Sequence, residues 1–173
     1  MKHRSLRYLT EAGLIAAAYA AATYLCSLFG LAYGPMQLRL SEARCILPVL
    51  FSSAVPGLTV GCLIGNLGST LGPVDLILGT AATLLGAVLT RLTRRVTLKG
   101  LPLLSALFPA LTNGLIVGAE ITLFLGDAAF SWKAYLLNAC WIAAGELLIL
   151  LLLGLPLWSL LRKTNKENTW TNP

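Results

Sequence analysis

The feature that most constrains the fold is the length of the uncharged segments. No charged residue occurs from Cys45 to Val74, and none occurs from Leu14 to Ala32. Apolar runs of this length are typical of transmembrane helices, because about 20 residues rising ~1.5 Å each cross the hydrocarbon core of a bilayer. Hydrophobic residues make up 57% of the chain and charged residues 12%. This composition excludes a soluble globular enzyme and a disordered chain, and it predicts an integral membrane protein.

Hydropathy and helix-breaking residues divide the chain into six predicted helices. Pro56-Gly57 splits the longest uncharged segment, since proline disfavours the helical conformation in the residue before it. The predicted helices cover about 9–30, 43–55, 57–71, 74–91, 101–125 and 134–161, and a polar tail covers 162–173. The 173 residues are therefore predicted to form one all-α membrane domain, a compact bundle of six transmembrane helices.

The basic residues predict the orientation of this bundle. Ten of the 13 Lys and Arg residues lie in the amino-terminal tail, the loop 91–99 and the carboxyl-terminal tail, and the other three are Arg39, Arg44 and Lys133. The positive-inside rule then places both termini and the loop 91–99 in the cytoplasm. The amino terminus and the loop 91–99 lie on the same side only if the chain crosses the membrane an even number of times before Arg91. This favours two helices over one kinked helix across 43–71. Although the net charge is +6, this distribution is that of topology determinants, so we expect no nucleic-acid partner.

The amino-terminal segment has a second interpretation. Lys2, Arg4 and Arg7 precede an apolar run containing Ala20, Ala21 and Ala22, an arrangement that a secretory signal peptide also shows. The uncharged run continues to Ala32, which favours a spanning helix.

Small residues recur at intervals of four in three of the predicted helices. In lipid such residues let helix backbones approach closely, because burial of apolar side chains gives little drive for association there. We interpret Gly57, Gly61 and Gly65, and also Gly114 and Gly118, as internal packing. The first helix carries parallel pairs of alanines around most of its circumference. These alanines could serve internal packing or contact an external helical partner, and both interpretations remain open. The candidate partner-docking residues are Ala12, Ala16, Ala20, Ala17 and Ala21.

Polar residues at membrane depth are the candidate functional residues. A charge at the centre of a membrane helix costs roughly 2.5–3.5 kcal/mol on insertion scales. In the predicted topology the polar groups crowd into the outer half of the bundle: Asn66, Asp75, Asn113, Glu120, Asn138 and Glu146. Asn113 and Glu120 are seven residues apart and share a helix face, as do Asn138 and Trp141, three apart. They either lock the bundle together or line an outward-facing pocket, and their concentration in one half favours the pocket.

Motifs of nucleotide, metal and hydrolytic sites are missing from the sequence. There is no GxxxxGK[ST] and no HExxH, and the one histidine is His3. Cys26, Cys45, Cys62 and Cys140 lie in apolar runs without ligand spacing and are interpreted as small hydrophobic residues. An enzyme would have to rely on carboxylates alone, so we expect neither enzymatic activity nor a cofactor.

Several short stretches, taken together, point to one family. They are YGPMQLRLSEA at 33–43, VPG at 55–57, CLIGN at 62–66, Asp75, LTNGLIVG at 111–118 and Gly145-Glu146. These stretches resemble the queuosine-precursor transporter (QueT) family, over about residues 8–163. Members are substrate-binding S components of energy-coupling factor (ECF) transporters.

The resemblance implies a six-helix S component in the bacterial cell membrane that captures a 7-deazaguanine, such as queuine or a precursor, from outside. A transmembrane T component and two ATPase subunits would supply the energy, so ATP would be bound by the partners. The alanine stripe of the first helix would dock on the T component.

The ligand's chemistry suggests roles for the polar residues. A 7-deazaguanine offers N–H donors to a carboxylate and a carbonyl to an amide or arginine. Glu120 and Glu146 are the candidate acceptors, followed by Asp75. The amides Asn66, Asn113 and Asn138 would read the polar edge, Trp141 would stack, and Gln37, Arg39 and Glu42 would either cap the pocket or hold the loop.

Other functions remain open at this stage. An S component or a stand-alone facilitator for another vitamin-like molecule has the same features. A small membrane enzyme that uses a carboxylate pair and a structural membrane subunit are the alternatives outside transport.

Overall fold

The structure, a computed structural model, describes residues 2–32, 39–126 and 130–170, with side chains for 5–32, 39–126 and 130–164. Its helices are α1 (Lys2–Leu28), a 3₁₀ helix (Leu40–Val49), α2 (Ala54–Gly65) with a further 3₁₀ turn (Asn66–Gly68), α3 (Pro73–Leu92), α4 (Leu103–Phe124), α5 (Trp132–Ile149) and α6 (Leu155–Trp170). A π-helical turn, Leu150–Gly154, joins α5 to α6. These ranges contain no β-strand, which confirms the predicted all-α class.

Within the described residues, four helical segments are long and apolar enough to cross a membrane. They are Ser5–Leu28, Pro73–Leu92, Leu103–Phe124 and Trp132–Thr164, and Ala54–Gly68 is a shorter apolar helix. Their length and composition are those of a multi-pass membrane protein.

The 3₁₀ helix lies where an α-helix over 43–55 was predicted, and its geometry follows from the distance that it covers. The Leu40 N–H donates to Cys26 Sγ near one end of α1, and the Tyr8 hydroxyl donates to the Ser52 carbonyl near the other. Along α1 these two points are about 27 Å apart, at ~1.5 Å per residue. The 10 residues of the 3₁₀ helix cover ~20 Å at ~2.0 Å each, whereas an α-helix of the same length would cover only ~15 Å.

The later helices also run from one end of α1 to the other, in alternating directions. The contacts that show this are Tyr24 Oη to the Ile64 carbonyl (2.8 Å), Thr90 Oγ1 to the Ser105 carbonyl (2.9 Å), Asn138 Nδ2 to Thr122 Oγ1 (3.0 Å) and Arg162 Nη1 to the Gly100 carbonyl (3.5 Å). Over the described ranges the chain therefore runs between the two ends six times. We call them the Tyr8 end and the Asn66 end.

The glycines of α2 bring it against α1. A Cβ on Gly61 would lie 2.8 Å from the Ala16 carbonyl oxygen and 2.8 Å from the Tyr19 Cβ, so only glycine allows this approach. In α4, Gly114 and Gly118 meet Ala139 of α5 in the same way. Both glycine pairs therefore serve internal packing, as predicted.

The alanines of α1 divide into two sets. Ala12, Ala16 and Ala20 are buried, and the first two face α2. Ala17 and Ala21 are exposed. Of the five alanines predicted to dock a partner, three thus form an intramolecular contact, and two remain on the outer surface.

The contact between α1 and α2 predicts opposite effects for two glycine substitutions. Gly61→Ala should lower the free energy of unfolding by about 1–3 kcal/mol, because the added methyl overpacks a backbone contact. Gly13→Ala is the matched control, since a Cβ at Gly13 meets no atom within 4 Å, and it should be neutral or stabilise α1 by up to ~1 kcal/mol. Thermal unfolding of both variants in the same detergent measures the difference. Equal melting temperatures would contradict the packing described here.

Candidate functional site

A small polar cavity lies inside the bundle, where four segments meet. Its volume is about 20 Å³, room for about one water molecule. The segment that ends in the 3₁₀ helix contributes Arg39 and Glu42, α3 contributes Gly79 and Thr83, α4 contributes Asn113 and Val117, and α5 contributes Ile142 and Glu146. Four of the predicted substrate-binding residues thus share one cavity.

Glu42 is held by two donors. Its Oε1 accepts a 2.5 Å hydrogen bond from the Tyr19 hydroxyl on α1, and its Oε2 accepts one from Cys45 Sγ at 3.0 Å. In a 3₁₀ helix, residues three apart lie on the same face, which places Cys45 beside Glu42. All three side chains are buried.

One oxygen of Glu146 accepts a hydrogen bond, and the other has no partner among the described residues. Asn113 Nδ2 donates to Glu146 Oε2 at 2.8 Å. The other oxygen, Oε1, has no hydrogen-bond partner within the described part of the chain, although the side chain is only 4% exposed. The close approach of α4 and α5 at Gly114 brings Asn113 to this carboxyl group.

Arg39 connects three segments at the Asn66 end of the cavity. Its Nε donates to the Ala32 carbonyl, its Nη1 donates to Asn66 Oδ1 at 3.2 Å, and its Nη2 lies 3.7 Å from Asp75 Oδ2. Asn66 Nδ2 in turn donates to the Asp75 carbonyl at 3.0 Å and to Asp75 Oδ1 at 3.3 Å. A Cβ on Gly79 would come within 2.7 Å of Asn66 Nδ2, so glycine makes room for this network.

A comparison with family models decides which family this is. A model described as "QueT transporter" matches residues 9–163. The chain belongs to the QueT transporter family. Searches of curated proteins and of solved structures return no significant match. Membership in a transporter family indicates a membrane transport protein for a small molecule, and it agrees with the expectation that the chain is not an enzyme.

Four other predicted residues of this transporter do not line the cavity. Glu120 is fully buried on the face of α4 that carries Asn113 and Val117, and neither of its carboxyl oxygens has a hydrogen-bond partner within the described residues. Asn138 donates to Thr122 Oγ1 and is partly buried. Asn66 and Asp75 contact Arg39, which lines the cavity.

Trp141 is not at the cavity. Trp141 is 57% exposed and lies at the outer surface beside Leu137, Cys140 and Ala144. Its neighbour Ile142 faces inward, and successive residues of a helix point about 100° apart, so the two cannot share a face. Gln37 lies outside the described residues.

The structure also adds residues that the sequence interpretation missed. Tyr19 lies within the alanine-rich part of α1 and was not selected as a candidate. Cys45 was interpreted as a small hydrophobic residue. Thr83 lines the cavity and donates to Cys62 Sγ at 3.2 Å. The spacing of three between Glu42 and Cys45 would have indicated a shared face had a 3₁₀ helix been predicted.

The trio Glu42, Cys45 and Glu146 has the spacing of a metal-binding group. One ligand atom from each lies within 4.8 Å of the others. Each of the three side chains also has a hydrogen-bond partner inside the protein: Cys45 and Tyr19 donate to Glu42, and Asn113 donates to Glu146.

Proposed function

We propose that this QueT family member is the substrate-binding S component of an ECF transporter. It would capture a 7-deazaguanine, such as queuine or one of its precursors, from outside the cell and deliver it inward with an ATP-driven module. The observation that carries the proposal is the buried polar cavity, in which Glu146 Oε1 has no hydrogen-bond partner among the described residues.

The side chains around the cavity match the edges of such a base. A carboxylate at Glu146 would accept the ring and amino N–H donors, and charge-assisted bonds of this kind are the stronger ones. Asn113, Arg39 and Thr83 supply donors for the ring carbonyl. The apolar walls, Val117 and Ile142, would cover the faces of the ring.

The described conformation is contracted around this site. A cavity of about 20 Å³ holds a water molecule, whereas ligand pockets typically measure roughly 300–1,000 Å³. Binding would therefore require the segments around the cavity to separate. Glu120 lies one turn beyond Val117 on α4, so a cavity that lengthens along α4 would reach its unpartnered carboxyl group.

The docking surface for a T component would be the exposed side of α1. Ala17 and Ala21 lie there with Gly13 at the same spacing, and all three are exposed. Small residues at this spacing let a partner helix approach closely. Energy would come from two ATPase subunits of the module, since this chain has no GxxxxGK[ST] of its own.

We further propose that all six passes cross the bacterial cell membrane and that the Tyr8 end is cytoplasmic. Arg91, which donates to the Pro48 carbonyl, and Arg162 both lie at the Tyr8 end, together with most of the basic residues. Arg39 lies at the Asn66 end.

Cysteine labelling tests this orientation. In a cysteine-free background, an impermeant thiol reagent added to intact cells should label Lys133→Cys and leave Arg95→Cys unlabelled. Arg95→Cys should react once the membrane is permeabilised, which controls for accessibility. Labelling of Arg95→Cys in intact cells would reverse the proposed orientation.

The function itself is tested on the purified protein. Mass spectrometry of bound small molecules should detect a 7-deazaguanine, and calorimetry should show binding of queuine. Affinity purification from cells that express the whole module should recover a T protein and two ATPases. Binding without these partners, together with uptake into vesicles, would indicate a stand-alone facilitator. No binding of any 7-deazaguanine would refute the proposed substrate.

A further inference from the structure

We propose that, before a ligand binds, the cavity holds a proton on Glu146 Oε1, and that the ligand must displace this proton in order to bind. The inference deepens the proposed function, because it concerns how the same site exchanges its contents.

The two carboxyl groups of the cavity are too close to be ionised together without a cation between them. Oxygens of Glu42 and Glu146 lie within 4.8 Å of one another in a buried site. Like charges at this separation strongly disfavour double ionisation, and one proton is then retained by the pair. Arg39 also lines the cavity, but its single positive charge is shared with Asp75, whose Oδ2 lies 3.7 Å from Nη2, so it cannot balance two further carboxylates.

The hydrogen bonds show which carboxyl group keeps the proton. Both oxygens of Glu42 accept bonds, one from Tyr19 and one from Cys45. A carboxylate that accepts two donors is stabilised in its ionised form. Glu146 accepts a single bond, from Asn113, so Glu146 is the protonated member.

The same bonds identify the oxygen that carries the proton. Asn113 Nδ2 donates to Glu146 Oε2, which must therefore be an acceptor. The proton then lies on Oε1, the atom without a partner among the described residues. From there it can be donated to Glu42 or to a water molecule in the cavity.

The other titratable groups around Glu146 do not supply a positive charge in place of this proton. The 3₁₀ helix presents Glu42 and Cys45, the segment before it presents Arg39, and α4 presents Glu120. Tyr19 of α1 contacts Glu42, and Asp75 of α3 contacts Arg39, so both affect Glu146 indirectly. The π turn Leu150–Gly154 carries no titratable group. The carboxyl groups among them outnumber the one guanidinium, which favours retention of a proton.

A ligand that donates an N–H to Glu146 Oε1 must displace this proton. A protonated Oε1 offers an O–H where the ligand needs an acceptor. The proton leaves Oε1 for bulk water, and the ligand's N–H takes its place with no covalent bond formed or broken in the ligand. Binding should thus release up to one proton, and affinity should rise with pH until Glu146 is ionised in the empty protein.

Infrared spectroscopy of the ligand-free full-length protein tests the proton without any ligand. The carbonyl stretch of a protonated carboxyl group is separate from the bands of a carboxylate. We expect such an absorption at neutral pH, and we expect Glu146→Gln to remove its Glu146 component. Glu120→Gln is the matched control and should leave that component in place. If Glu146→Gln and the wild type have the same spectrum in this region, the inference is wrong.

A second variant tests the role of Tyr19. Tyr19→Phe removes one of the two donors of Glu42, so Glu42 and Glu146 would then accept one bond each, from Cys45 and from Asn113. The proton should then be divided between the two carboxyl groups, and the Glu146 component of the infrared absorption should become smaller. An unchanged Glu146 component would show that Tyr19 does not determine where the proton resides.

Calorimetry with 7-deazaguanine itself tests the exchange, since this base does not titrate near neutral pH. Titrations at one pH in phosphate and in Tris, buffers of different ionisation enthalpy, should give different apparent enthalpies that correspond to release of up to one proton. Equal enthalpies with clear binding would overturn the exchange. Failure of this base, of queuine and of its precursors to bind would refute the proposed substrate, whereas the infrared result would still decide whether the proton is present.

Discussion

Glu146→Gln should weaken binding of a 7-deazaguanine by about 10- to 150-fold. The substitution keeps the shape of the side chain and its bond from Asn113, but it replaces a charged acceptor by a neutral amide. A hydrogen bond to a charged group contributes ~1.5–3 kcal/mol, which corresponds to this range of affinity. Calorimetry on the purified protein, beside a melting curve for the variant, measures the effect in the folded fraction.

Glu11→Gln is the matched control for this experiment. Glu11 pairs with Arg7 and accepts from Ser53 near the Tyr8 end, away from the cavity. The same chemical change there should alter affinity by less than about threefold, a difference below ~0.7 kcal/mol. Asn113→Ala should weaken binding as Glu146→Gln does, because Asn113 orients the carboxyl group. If neither cavity variant differs from Glu11→Gln, the ligand binds elsewhere.

Ala17→Leu should cut ATP-driven uptake by about tenfold or more and leave ligand binding to the isolated protein unchanged. Ala17 is exposed on α1, so a leucine there would hold a partner helix away without disturbing the cavity. A loss of ~1.4 kcal/mol in docking free energy corresponds to a tenfold weaker association. Uptake into vesicles that contain the complete module, compared with calorimetry on the isolated chain, separates the two effects.

Two further alanine substitutions give this prediction its controls. Ala144→Leu introduces the same side chain at an exposed position of α5 and should leave uptake intact. Ala16→Leu enlarges a buried residue against α2 and should lower stability, with binding and uptake falling together. Normal uptake by Ala17→Leu would show that the T component docks on another surface.

How far the sequence predicts this protein can be judged from α1 to α3. The uncharged runs indicate membrane helices, and two segments were rightly expected within the longest run, but the break lies at 50–53, and Pro56-Gly57 belong to the first turn of α2. The second of the predicted helices is a 3₁₀ helix instead, because Leu40 and Ser52 must lie near opposite ends of α1. That requirement is a contact between distant parts of the chain, and local residue preferences contain no information about it.

The candidate site, too, could be predicted from the sequence only in part. Polar residues at membrane depth could be selected from the sequence, since each is costly in lipid unless it has a partner or a function. Which of them meet is a matter of packing. Glu146 meets Asn113 and lies beside Glu42, whereas Trp141 faces outward and Glu120 stays apart from the cavity.

The sequence by itself determined the class of protein, the approximate positions of its helices and the family stretches that the family model matches. Only the tertiary structure decided which face of each helix points inward. In a soluble helix the apolar face identifies the core. In a membrane helix the lipid side and the packed side are both apolar, so Ala16 and Ala17 look equivalent in the sequence, although one is buried against α2 and the other is exposed.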